Sequence, residues 1–184
     1  MSDVATVHLN LEHPEGGYAA RVVRLKAHEY LDKLGYQGCE VSILLTTDLR
    51  IRKLNRQFRG KDKATDVLSF PAGDQPAIPG MPLSLGDIAF SLDTARRRAA
   101  EDGRTLAFEL SRYLAHGVLH LLGYDHEESE REARRMARKE AELLGVPGML
   151  DDAKGVETSK ASQTSRRKDP AVERQPTKTR GRKA

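Results

Sequence analysis

Three histidines, His116, His120 and His126, lie within the short run HGVLHLLGYDH. His116 and His120 are four residues apart, so in a helix they share one face, about a turn apart. That spacing lets two imidazoles reach one metal ion at Zn–N distances of ~2.0–2.1 Å. If the helix simply continued, His126 would lie ~9 Å further along the axis, at 1.5 Å per residue, and could not share the ion. Gly123 removes that obstacle, because glycine suits the left-handed position that ends a helix and turns the chain back. Three neutral imidazoles leave a fourth coordination position open. That is the pattern of a catalytic site, whereas closed structural sites use four protein ligands. One Zn²⁺ per chain is the expected cofactor, with another divalent transition metal such as Ni, Cu or Fe compatible with the same ligands. Asp125, next to the third histidine, is the candidate to orient an imidazole from behind, and a turn-forming aspartate is the competing reading. His8, His13 and His28 have no such companions and read as ordinary surface or core residues.

The ligand run is similar to the H-x-x-x-H-x-x-G-x-x-H run of the metzincin proteases, which makes a zinc metallopeptidase the main rival. In those enzymes a glutamate follows the first histidine and acts as general base. Here that place is Gly117, so the ligands are present and the proteolytic base is missing. A second rival is non-catalytic: an RNA-binding ribosome-assembly factor stabilised by a structural metal.

The elements that must position these residues follow from periodicity. Thr6–Leu11 alternates and reads as a strand, residues 15–34 read as a helix closed by Gly35, and 40–46 is a second strand. Thr47 or Asp48 can cap a helix running to about residue 58. Residues 65–70 and 86–91 read as the third and fourth strands. Between them lies a proline-rich loop, PAGDQPAIPGMPLS, of the length often found in lids over sites. Helices are expected over about 92–101, 105–122 and 128–144. The order argues for an α+β fold: one small, mostly mixed sheet of about four strands packed with about five helices.

Composition limits the rest. With 38% hydrophobic and 32% charged residues, no stretch approaches the ~18 consecutive apolar residues of a membrane span. The first residues carry no secretory signature, and the single cysteine, Cys39, cannot form an internal disulfide; a cytoplasmic protein is expected. The net charge of +4 is uneven. Residues 151–184 hold 10 Lys and Arg against 5 Asp and Glu, which leaves residues 1–150 near neutrality. The two segments divide the chain into an expected folded domain, 1–150, and a disordered basic tail, 151–184, too poor in apolar residues to offset its ordering entropy. The tail reads either as a solubilising segment or as a contact to RNA backbone.

Two further stretches join the histidines. HGVLHLLGYDH, LNRQFRGKDKATDVLSFP (residues 54–71) and Leu85-Gly86-Asp87-Ile88 together resemble, in order and separation, the motifs of the YbeY family of bacterial metal-dependent endoribonucleases. The resemblance implies a small α+β fold with a zinc site at His116, His120 and His126. It implies single-strand-specific RNA cleavage in 16S rRNA 3′-end maturation and ribosome quality control. It also implies small-subunit ribosomal RNA as substrate, with a ribosome-assembly GTPase and ribosomal proteins as partners and no membrane. Arg59 falls on the family's functional arginine; alone it would read as a solvated surface residue. A guanidinium can hold a phosphate through two parallel hydrogen bonds and stabilise charge on its oxygens. Lys61 and Lys63 are candidates to line the RNA path. Asp62, Asp66 and Asp87 are candidates for proton transfer, each with an equally good structural reading. Attack by water and attack by the RNA's own 2′-OH both remain open. Phe58, Phe70, Tyr113 and Tyr124 read as core or hinge residues rather than a base-stacking platform.

Overall fold

The computed structural model describes residues 4–73, 79–127 and 129–146. The expected basic tail, 151–184, and the centre of the proline-rich loop, 74–78, lie outside the described residues.

Four strands form one mixed sheet in the order β1-β2-β4-β3. β1 (Thr6–Leu11) runs parallel to β2 (Cys39–Thr46), and α1 (Gly17–Lys33) makes the crossover between them. β2 is parallel to β4 (Leu83–Ser91). β3 (Val67–Pro71) is antiparallel to β4 at the edge, where Pro71 does not interrupt a central ladder. α2 (Asp48–Arg59) precedes β3, and α3 (Leu92–Glu101), α4 (Leu106–Leu121) and α5 (Glu130–Leu144) follow β4. The expected α+β architecture, with four strands and five helices, is the one observed.

The two faces of the sheet are covered unequally. Val41, Ile43 and Leu45 of β2 and Ile88 and Phe90 of β4 alternate onto one face, as strand geometry requires, and join the main core with α1 and α4. α4 buries ten of its sixteen residues, so it is the central helix and its less buried side is what remains for a site. On the other face α2 lays Ile51 over Leu68 and Ala89 in a smaller cluster.

Two strand boundaries differ most from the sequence expectation: β3 runs Val67–Pro71 rather than 65–70, taking in the proline expected to stop it, and β4 starts early. β4 begins at Leu83, not Gly86, because Leu83 and Ser84 already pair with Cys39 and Glu40. The register then slips: Glu40 pairs with Ser84 but Ser42 with Asp87, so β4 carries an extra residue. A bulge breaks the two-residue alternation by which a strand is recognised. Gly86 sits in it at φ +120°, and a Cβ there would collide with the carbonyl oxygen of Phe70. The glycine of the Leu85-Gly86-Asp87-Ile88 motif is therefore demanded by the close approach of β3. Phe58 also departs from a core role: it is 58% exposed and meets Phe70 edge-on, with ring centroids 5.0 Å apart.

Candidate metal centre

His116 and His120 stand on the less buried side of α4, near its C-terminal end. The helix stops at Gly123, whose φ is +83°. Gly123 N–H donates to the His120 carbonyl at 3.1 Å and Tyr124 N–H to the Leu119 carbonyl at 3.0 Å. This pair of bonds is a Schellman closure, with Tyr124 packed against the core beyond it. The reversal returns His126 to its partners. Its ring centroid lies 5.1 Å from that of His116 and 5.1 Å from that of His120. One ligand-capable nitrogen from each of the three rings lies within 4.8 Å of the others.

The donor set fits a cation. His116 Nδ1 lies 2.6 Å from a carboxylate oxygen of Glu140 in α5. An ionised carboxylate only accepts, so His116 donates from Nδ1 and presents a lone pair at Nε2. That Nε2 faces Nε2 of His120 at 3.0 Å. In the metal-free form His120 can donate from Nε2 to that lone pair, and with both nitrogens presenting lone pairs the same approach suits a shared cation. Burial, followed by the charges of His116 and His126, holds His120 below its ordinary pKa, which favours the neutral, metal-binding form.

The orienting carboxylate is a residue that the sequence reading missed. Asp125 lines the cleft, but its Oδ1 accepts the backbone N–H of Glu127 at 2.8 Å and so closes a turn. Glu140 lies 24 residues beyond His116 and meets it only through the packing of α5 on α4. No local spacing rule could have found it.

A cleft of about 370 Å³ opens over the histidines. Its lining includes Arg59, Lys61, Lys63 and Asp66 together with His116, His120 and His126. Arg59, Lys61, Lys63 and Asp66 precede His116 by 50 residues or more in the chain, and the end of α2 brings them in. Gly60 caps that helix in the left-handed conformation at φ +67°, and Lys61 N–H reaches back to the Asn55 carbonyl. Asn55, only 2% exposed, donates from Nδ2 to the Lys63 carbonyl at 2.8 Å and ties the loop down. Asn55 was also missed, although a signal existed: it stands four residues after the buried Ile51, on the apolar side of α2. Arg59 forms no ion pair among the described residues.

The three aspartates raised for proton transfer separate clearly. Asp62 is held by Arg52, Nε to Oδ1 at 2.9 Å and Nη2 to Oδ2 at 2.9 Å. Those hydrogen bonds hold its carboxyl below the usual range, away from general-base duty. Asp87 lies against the opposite face of the sheet, beside Ser42 and Phe70. Asp66 alone of the three lines the cleft, with Oδ1 accepting from Thr65 and from the Val67 backbone N–H.

Gly117 counts against the peptidase rival. It faces the sheet, where a Cβ would meet Ile88 Cγ2 at 3.0 Å and Ser69 Oγ at 3.3 Å. A glutamate there has neither space nor a line to the metal side.

The model of the family described as Endoribonuclease YbeY matches residues 17–146. The chain belongs to the YbeY family. It is similar to the Endoribonuclease YbeY of Anaeromyxobacter sp. (strain Fw109-5), 57% identical over 148 residues, which cover 80% of this chain and 75% of that protein. It is also similar to the Geobacter sulfurreducens Endoribonuclease YbeY, 43% identical over 144 residues, covering 78% of this chain and 94% of the relative. In three dimensions it is similar to the solution structure of TM1509 from Thermotoga maritima, at a TM-score of 0.56 and 26% identity, over 88% of this chain and all of that one. For this YbeY-family chain, both the three histidines and Arg59 lie inside the matched span. Among the described residues, no helix is long and apolar enough to cross a membrane.

Proposed function

We propose that this chain is a zinc-dependent endoribonuclease that cuts single-stranded RNA in ribosomal RNA processing. The observation that carries the reading is the meeting, in one cleft, of three clustered imidazoles with the guanidinium of Arg59, which forms no ion pair among the described residues. His116, His120 and His126 would hold the ion, and Glu140 would orient His116. When bound, such an ion supplies Lewis-acid and water-activating chemistry for phosphodiester cleavage. Arg59 clamps the scissile phosphate and offsets charge on its oxygens in the transition state. Lys61 and Lys63 line the path of the backbone, and Asp66 is the carboxylate placed to handle a proton. Asp125 shapes the turn that presents His126. The setting is the cytoplasm, on the 16S rRNA 3′ end within the small ribosomal subunit, in the company of ribosomal proteins and a ribosome-assembly GTPase. The domain so employed is residues 1–150, with 151–184 as a basic tail that adds affinity for RNA.

The test pairs His116→Ala with Arg59→Ala. Both variants are expected to remain folded by circular dichroism and to lose cleavage of a single-stranded RNA, the first with its metal and the second without losing it. Unfolding of His116→Ala would favour a structural metal, and full cleavage by both variants would remove the site.

A further inference from the structure

We propose that Lys53 and Arg56, on the outer face of α2, form a second phosphate subsite for the RNA strand that enters the metal cleft. The proposal rests on the ribonuclease reading and extends it beyond the cleft. Three observations carry it.

Arg56 stands three residues before Arg59, so the two side chains are neighbours on the helix surface, about 5–6 Å apart at Cβ. Lys53 is three residues before Arg56, and all three are exposed. The stripe therefore leads away from the cleft without a break.

The surface is also concave. Arg52, Lys53, Arg56 and Gln57 line a depression with Asp62. Asp62 would repel an anion, but both its oxygens are taken by Arg52 through the fork described above. That pair is close to neutral and, although Asp62 also feels Arg56 at longer range, the depression keeps a net positive charge from Lys53 and Arg56. Neither forms an ion pair among the described residues.

Finally, the charge is specific to this helix. α2 carries Arg50, Arg52, Lys53, Arg56 and Arg59 against a single acid, Asp48. α5, which also reaches the metal centre, pairs Arg134, Arg135 and Lys139 with its own glutamates. Among the described residues, three of the five α2 cations, Lys53, Arg56 and Arg59, form no ion pair, whereas three of the five on α5 are paired within the helix. Backbone contact of this kind is independent of sequence and releases counterions.

The experiment compares the full chain with its Lys53→Gln/Arg56→Gln double variant, exchanges that keep helix propensity nearly constant. Binding is measured across a salt titration with two single-stranded RNAs, of about four and about sixteen nucleotides. For the longer strand, loss of two phosphate contacts is expected to flatten the log–log salt slope by about 1.4 and raise Kd on the order of tenfold at low salt. Cleavage of the short strand and bound metal should be unchanged. Arg131→Gln/Arg134→Gln on α5 serves as a charge-matched control and is expected to leave the slope alone. An unchanged slope in the α2 variant, or an equal loss in the α5 control, overturns the subsite. If the unaltered chain fails to bind and cut single-stranded RNA, the ribonuclease reading falls and the subsite with it.

Discussion

Besides α4, which carries His116 and His120, two helices reach the candidate metal centre, α2 and α5, and each carries five Lys and Arg residues. They use them differently. In α5 the cations alternate with Glu130, Glu132, Glu140 and Glu142, and most are absorbed into pairs three or four residues apart. The one α5 side chain that addresses the site is an acid, Glu140, and it addresses the metal ligand His116. In α2 a single acid stands at the N-terminus, and Lys53, Arg56 and Arg59 are exposed and form no ion pair among the described residues. Equal numbers of cations thus give one helix whose acid holds His116 and one whose exposed cations stand ready for the proposed RNA contact. What separates them is the placing of acids, which net charge does not record.

The contrast can be broken from either side. The largest effect is expected from Arg59→Ala, which should lower kcat for RNA cleavage by about 10²–10³-fold while bound metal stays at wild-type stoichiometry. Loss of metal along with activity would mean that α2 supports the centre structurally. Glu140→Gln should do the reverse. It keeps the side chain's size but removes the charge behind His116, and competition against a chelator should show metal affinity falling by about 10–100-fold. Its RNA-binding salt slope should match that of the unaltered chain.

Smaller effects test the frame between the two helices. Gly117→Ala forces a Cβ against Ile88 and Ser69, and a denaturant titration should show a loss of about 1–3 kcal/mol. A neutral result would mean that α4 packs on the sheet less tightly than its contacts indicate. Least of all should follow from Arg134→Ala. Its pair with Glu130 is among the most exposed, at 77% and 88%, so a change of no more than ~0.5 kcal/mol is expected in the same titration.

Much of the centre was legible from sequence because it is local. His116 and His120 need only a helix, and Gly123 alone explains how His126 returns; the structure fills in the two closing hydrogen bonds. The Gly117 argument against a peptidase was also local, and the packing adds its reason: that position faces Ile88 rather than the cleft. What stayed hidden depends on packing at a distance. Glu140 reaches His116 across two helices, whereas Asp125 closes the turn that was its alternative reading from sequence. Asp62 and Asp87 sit beside the motif residues in sequence, yet one is drawn outward by Arg52 and the other lies beneath the sheet. The start of β4 was lost to a bulge, where the alternation that marks a strand is locally broken.

The proposed function makes RNA cleavage depend on one ion held by His116, His120 and His126. It is tested most directly by stripping the purified full chain with a chelator, then titrating Zn²⁺ back while following cleavage of a single-stranded RNA. Cleavage should vanish with the metal and return to a plateau at one equivalent per chain, and His120→Ala should not recover at that ratio. Full cleavage by the metal-free chain would contradict the account.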